Sequence, residues 1–127
     1  MALLGPVVVV AEIPATDFID VLAKAGAFPI AQTRWADVPA AIGETQPVAL
    51  AIADRQTIPS SRQVDAAIEC IETRGGPVMP VIALVDSSST PAIPGALPIA
   101  IDDSAERVIA RLHSALRIRT LHAAVLR

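Results

Sequence analysis

Aromatic side chains are nearly missing from this chain: there is no tyrosine, and aromatics make up 2% of the residues. The core must then be built from Val, Ile, Leu and Ala, within a hydrophobic share of 53%. That composition favours sheet and helix layers packed on aliphatic side chains over an all-β sandwich. Cysteine is limited to Cys70, which excludes an internal disulfide, fits a reducing compartment and reads as a structural thiol. Positive charge is in deficit, with a formal net charge of −3, so nothing draws the chain to nucleic acid or to an anionic membrane. Long apolar runs are lacking too. The opening MALLGPVVVVA has no basic n-region and is broken by Gly5 and Pro6, so it predicts neither a secretion signal nor a membrane span, and a cytoplasmic location is expected.

Catalytic motifs are equally scarce. Gly75-Gly76 stands outside any G-x-G-x-x-G or P-loop pattern, and Ser87-Ser88-Ser89-Thr90 has no adjacent base and reads as a solvated loop. His113 and His122 have no Cys or acidic neighbour at metal-ligand spacing and read as exposed helix residues. No acid–base pair suggests an enzyme.

What is present is a rhythm. At 127 residues the length predicts one domain. Its first element, PVVVVAEIP at residues 6–14, is a β-branched run between prolines, the pattern of a strand buried on both faces in a parallel sheet. It ends on Glu12, at the carboxyl end of a strand, where open α/β sheets place their functional crevice. Thr16 or Asp17 then caps a helix that Gly26 ends, and AFPIAQT at 27–33 reads as an edge strand because of Pro29. Asp37 caps a second helix, stopped by Gly43 or Pro47. PVALAIAD at 47–54 is the third strand, and Ser60 or Ser61 caps the helix that follows, which Gly75-Gly76 terminates. VMPVIALVD at 78–86 and LPIAIDD at 97–103 give strands four and five, and Asp103 or Ser104 opens a final helix. The fold class is α/β, a flavodoxin-like doubly wound five-stranded parallel sheet of order 2-1-3-4-5. Between strands four and five, SSSTPAIPGA at 87–96 holds two prolines, so the helix expected there is shortened or missing.

Taken in order, VVVVAEIP, QPVALAIAD, MPVIALVD and GALPIAI resemble the receiver domain of bacterial response regulators, over roughly residues 6 to 117. The resemblance implies two-component signalling chemistry: two acids after the first strand holding magnesium beside a phospho-accepting aspartate on the third, a Ser or Thr ending the fourth strand and a lysine ending the fifth. Here the acidic pair becomes Ala11 and Glu12. The acceptor position falls on Ala53 by spacing from Pro47, or on Asp54 with one inserted residue. The hydroxyl position falls on Val85, followed by Asp86, and the lysine position on Asp102. Phosphoryl transfer depends on positive charge set against phosphate oxygens. A rim of Glu12, Asp54, Asp86 and Asp102 inverts that sign. The expected function is therefore a non-catalytic pseudo-receiver, with no cofactor. The alternative is an atypical phospho-acceptor using Asp54 with Mg²⁺ held by Glu12 and Asp54, since magnesium needs only one or two protein carboxylates.

The last helix is longer than one strand requires. Val108, Ile109, Leu112 and Leu116 form one stripe, and Ile118, Leu121 and Val125 a second, nearly opposite. Residues 1–117 are expected to be the receiver-like domain and 118–127 a helical extension leading to an output domain or a dimer interface. The segment resembles the linker of alphaproteobacterial signalling proteins in which degenerate receivers precede a diguanylate cyclase, and the chain reads as the front of a longer protein. Expected interface residues are Ile101, Ile109, Leu112, Leu116, Ile118, Leu121 and Val125, with Arg111 and Arg119 on the rim, engaging a second copy, a fused output domain or another protein.

Overall fold

The computed structural model describes residues 6–12, 15–24, 29–53, 60–73, 79–85, 96–100 and 105–126. Strands β1 (Val7–Val10), β2 (Ile30–Thr33), β3 (Ala49–Ile52), β4 (Val81–Val85) and β5 (Leu97–Ala100) form one sheet of order β2-β1-β3-β4-β5, all pairs parallel. This is the expected flavodoxin-like order, with β2 at an edge as Pro29 suggested. Helices are α1 (Thr16–Lys24), α2 (Val38–Thr45), α3 (Ser61–Thr73) and α4 (Ala105–Leu126). The predicted shortening of the helix between strands four and five, and the Gly75-Gly76 and Ser87–Thr90 segments, fall outside the described residues.

Strand alternation decides which side chains meet which helices. From β1 and β3, Val7, Val9, Ala11, Ala49, Ala51 and Ala53 join Phe18 and Leu22 of α1 and Ala115 of α4 in one buried cluster. Val8, Val10, Leu50 and Ile52 join Trp35, Val38 and Ile42, together with Ala67 of α3, in the other. The sheet is thus covered on both faces, α1 beside α4 on one and α2 beside α3 on the other. Trp35 opens a short 3-10 turn, Trp35–Asp37, that runs directly into α2 and was not predicted. The single tryptophan is fully buried there.

The helix ends correct several expectations. In α1 the Ile19 N–H bonds to the Ala15 carbonyl, so the chain enters the helix at Ala15, and Thr16 and Asp17 lie inside the first turn. Asp37 does precede α2, but its side chain makes no capping bond, because the 3-10 turn holds its backbone at φ −105°, ψ 6°. Gly43 lies within α2. The helix stops at Thr45 through Gln46, whose φ of 48° is left-handed, just before Pro47. At α3, Ser60 Oγ accepts from the Gln63 N–H at 3.2 Å while Gln63 Oε1 accepts from the Ser60 N–H at 3.1 Å, a reciprocal capping box. Cys70 is half-buried, its Sγ 3.9 Å from the Pro39 carbonyl, which makes it a packing thiol between α3 and α2.

A Cβ built on Gly43 meets nothing within 4 Å. Gly43→Ala is therefore expected to stabilise the fold by about 0.5–1 kcal/mol through helix propensity. Ser60→Ala is expected to cost about 1 kcal/mol through loss of the cap. Urea unfolding of each variant measures both changes.

Candidate functional site

The carboxyl ends of β1 and β3 adjoin at the centre of the sheet. Val10 pairs with Thr33 on one side and Ile52 on the other, and the ladder continues one step further. Ala11 N–H donates to the Thr33 carbonyl and Ala53 N–H to the Val10 carbonyl, each at 2.9 Å. Ala11 and Ala53 therefore stand at the same height on adjacent strands. Period-two alternation sends both methyl groups into the α1–α4 cluster, where they are 2% and 8% exposed.

Glu12, one residue on, leaves the ladder. Its Oε2 accepts a hydrogen bond from Arg34 Nε at 3.1 Å, an ion pair whose carboxylate side is 22% exposed and whose guanidinium side is 72% exposed. Arg34 follows β2 directly, so the β1–β2 register brings together two charges that are 22 positions apart in the chain. Thr33 Oγ1 donates to the Arg34 carbonyl at 3.3 Å, and Gln32 Oε1 accepts from the Ala15 N–H at 3.3 Å, tying the β2 end to the entry of α1. Arg34 and Gln32 were not anticipated from the sequence. Their partners become visible only once register is known.

The described residues do not fit a magnesium ion at this crest. Magnesium takes oxygen ligands in octahedral geometry; Ala11 and Ala53 offer none from their side chains, and Glu12 already faces a guanidinium. No group of three or more His, Cys, Asp or Glu able to hold a metal exists among the described residues. Asp54, Asp86 and Asp102 lie outside the described residues, as do Ile101 and Arg127.

Along α4, Ala115 is buried and Leu116 packs on the α1-side cluster. Leu121 and Val125 are the exposed large apolar residues among those described, at 63% and 80%. Arg111 is exposed. The side chains of Ile109, Leu112, Ile118 and Arg119 lie outside those described. His113, expected to be exposed, is half-buried, and its Nε2 is shut from solvent without a hydrogen-bond partner, as is Trp35 Nε1. The reason is helical geometry: His113 falls between Leu116 and the outward face, close enough to the core to be covered. No described helix is long and apolar enough to cross a membrane.

No family model matches the chain, and no curated protein does. Solved structures do. The apo receiver domain of nitrogen regulatory protein C superposes with a TM-score of 0.63 at 22% identity, covering 89% of this chain and 94% of that one. The anti-anti-sigma factor PhyR from Bartonella quintana gives 0.70 at 15% identity, covering 100% of this chain and 52% of its own, so this chain spans about half of it. The N-terminal domain of NsrR, a lantibiotic response regulator, gives 0.59 at 18% identity, covering 91% and 100%. The fold is that of response-regulator receiver domains.

Ala53→Asp places a carboxylate among packed methyl groups. It is expected to destabilise the domain by about 2 kcal/mol at neutral pH. Burial would raise the folded-state pKa of the new acid, so the loss is full above that raised pKa and shrinks as pH falls from it to the ordinary carboxylate value. Urea titrations at neutral and acid pH measure this difference.

Proposed function

We propose that this chain is a non-catalytic signalling module, a pseudo-receiver that dimerises or docks through α4 and passes a change in that contact to an output domain. One observation carries the reading: the register-adjacent positions Ala11 and Ala53, where the receiver resemblance would set one of the paired acids and, by spacing from Pro47, the acceptor, hold buried methyl groups. Aspartyl phosphorylation requires an oxygen nucleophile, and catalysis of the transfer comes from positioning and cationic stabilisation of the phosphoryl oxygens. The methyl groups of Ala11 and Ala53 supply neither. The charges that stand beside them, Glu12 and Arg34, are paired with each other.

The outward face of α4 supports the second half of the reading. A pair of large apolar side chains one helical turn apart, Leu121 and Val125, gains nothing from standing in water, and a protein contact would bury it. PhyR, which shares the fold, is named an anti-anti-sigma factor, and regulation through surfaces is the role assigned to this chain here.

Magnesium-dependent phospho-acceptance at Asp54 is the competing reading. Exposure to a small acyl-phosphate donor with Mg²⁺, followed by intact-mass measurement, is expected to leave the chain unmodified. A phosphoryl adduct that disappears in Asp54→Asn would replace the pseudo-receiver reading with the competing one. Leu121→Ala and Val125→Ala are expected to change unfolding free energy by no more than about 0.5 kcal/mol, as suits exposed sites, while weakening association measured by light scattering.

A further inference from the structure

Helix α4 is basic on a chain that is acidic. It carries Arg107, Arg111, Arg117 and Arg119 against a single acid, Glu106, whereas the whole chain has a net charge of −3. At roughly 100° per residue, Ser114, Arg117, Leu121 and Val125 fall within an arc of about 80°, opposite the side on which Ala115 and Leu116 together meet the core. All four are exposed. The arc has the spacing of a coiled-coil seam but holds no acid.

That pattern argues against α4 pairing with α4 of a second copy. In a parallel pair Arg117 would face Arg117, and in neither orientation could an arginine on this arc meet a carboxylate on the partner's arc. The complementary surface is on the other side of the same fold. There α2 and α3 present Glu44, Asp65, Glu69 and Glu72, all exposed, with Arg62 as the opposing charge among the exposed described residues of the two helices. Beside these acids the outer face of α2 is nearly flat: Ala40 and Gly43 are exposed, and the space over Gly43 is open. Large apolar side chains need such a low surface, and arginines need the flanking carboxylates.

We propose that the exposed face of α4 docks on the α2–α3 face of a second copy of this chain, with Leu121 and Val125 over Ala40 and Gly43 and Arg117 against the acids of α3. The two faces lie on opposite sides of the sheet, so they cannot meet within one copy. The contact is therefore head to tail, α4 of one copy on the α2–α3 face of the next, a heterologous arrangement that can extend to further copies. This inference rests on the docking reading above and names the surface that receives α4.

The test is the association of the full 127-residue chain, followed by light scattering and sedimentation at low and at physiological salt. Arg117→Glu and, separately, the double variant Glu69→Arg, Glu72→Arg are each expected to weaken self-association by about tenfold or more, with unchanged circular dichroism. Mixing these two variants is expected to restore it, because each then offers the charge the other lacks. Higher salt is expected to weaken the wild-type contact. If the α4 substitution dissociates the pair while the α3 substitutions do not, α4 has another receptor; the docking reading survives and this inference is overturned. A chain that stays monomeric at every accessible concentration, or a variant mixture that stays monomeric, overturns it as well. Phosphoryl uptake would instead strike at the pseudo-receiver reading and is read out independently by mass.

Discussion

Burial of the β1–β3 pair on both faces is the constraint from which the remaining structure follows. Each described residue of these strands is buried, and their backbone polar groups are satisfied by parallel pairing on both sides. Alternation then leaves no freedom: odd-numbered positions from Val7 to Ala11 and from Ala49 to Ala53 face α1 and α4, and the even ones between them face α2 and α3. On the α1–α4 side, β3 offers only alanines, and the bulk of that layer comes from the β1 valines, Phe18 and Leu22. On the other side Leu50 and Ile52 supply bulk alongside Trp35.

The chemistry at the sheet crest is a consequence of that packing. Where the ladder ends, the same alternation that fills the core delivers two methyl groups to adjoining strand ends, and a sheet end of this fold that could hold carboxylates is closed with apolar atoms instead. Charge appears one step outside, where Glu12 and Arg34 offset each other at the surface. An exposed ion pair of this kind contributes little to stability, but it does fix the local field, leaving no uncompensated guanidinium from Arg34 to attract a phosphate. The apolar residues that α4 turns to solvent, Leu121 and Val125, stand apart from this crest chemistry.

Sequence periodicity carried much of this. The strands, their parallel order and the edge placement of β2 could be read from four apolar runs, a weak fifth and the position of Pro29. Helix boundaries were read less well, because they depend on contacts made elsewhere. Gln32, from a different element, accepts the Ala15 N–H and so binds the entry of α1 to β2; Asp37 loses its capping role to a 3-10 turn whose reason is the burial of Trp35. Gly43 looked like a stop signal, yet the helix passes through it to Gln46. His113 looked exposed from its neighbours in sequence, and packing on the core covered its Nε2. The Glu12–Arg34 pair had no sequence signal at all.

The amino-acid sequence by itself determined the layering and the character of two strand ends: β-branched runs bounded by turn residues suit burial in a two-faced parallel sheet, and alanine at positions 11 and 53 has no side-chain oxygen to offer in any fold. Tertiary structure alone decided that these alanines adjoin, that Arg34 reaches Glu12, and that the basic face of α4 and the acidic face of α2 and α3 point away from each other. Each is a relation between residues far apart in the chain, set by strand register and by the face of the sheet on which a helix lands. Neither register nor face is encoded in the spacing of residues within one element.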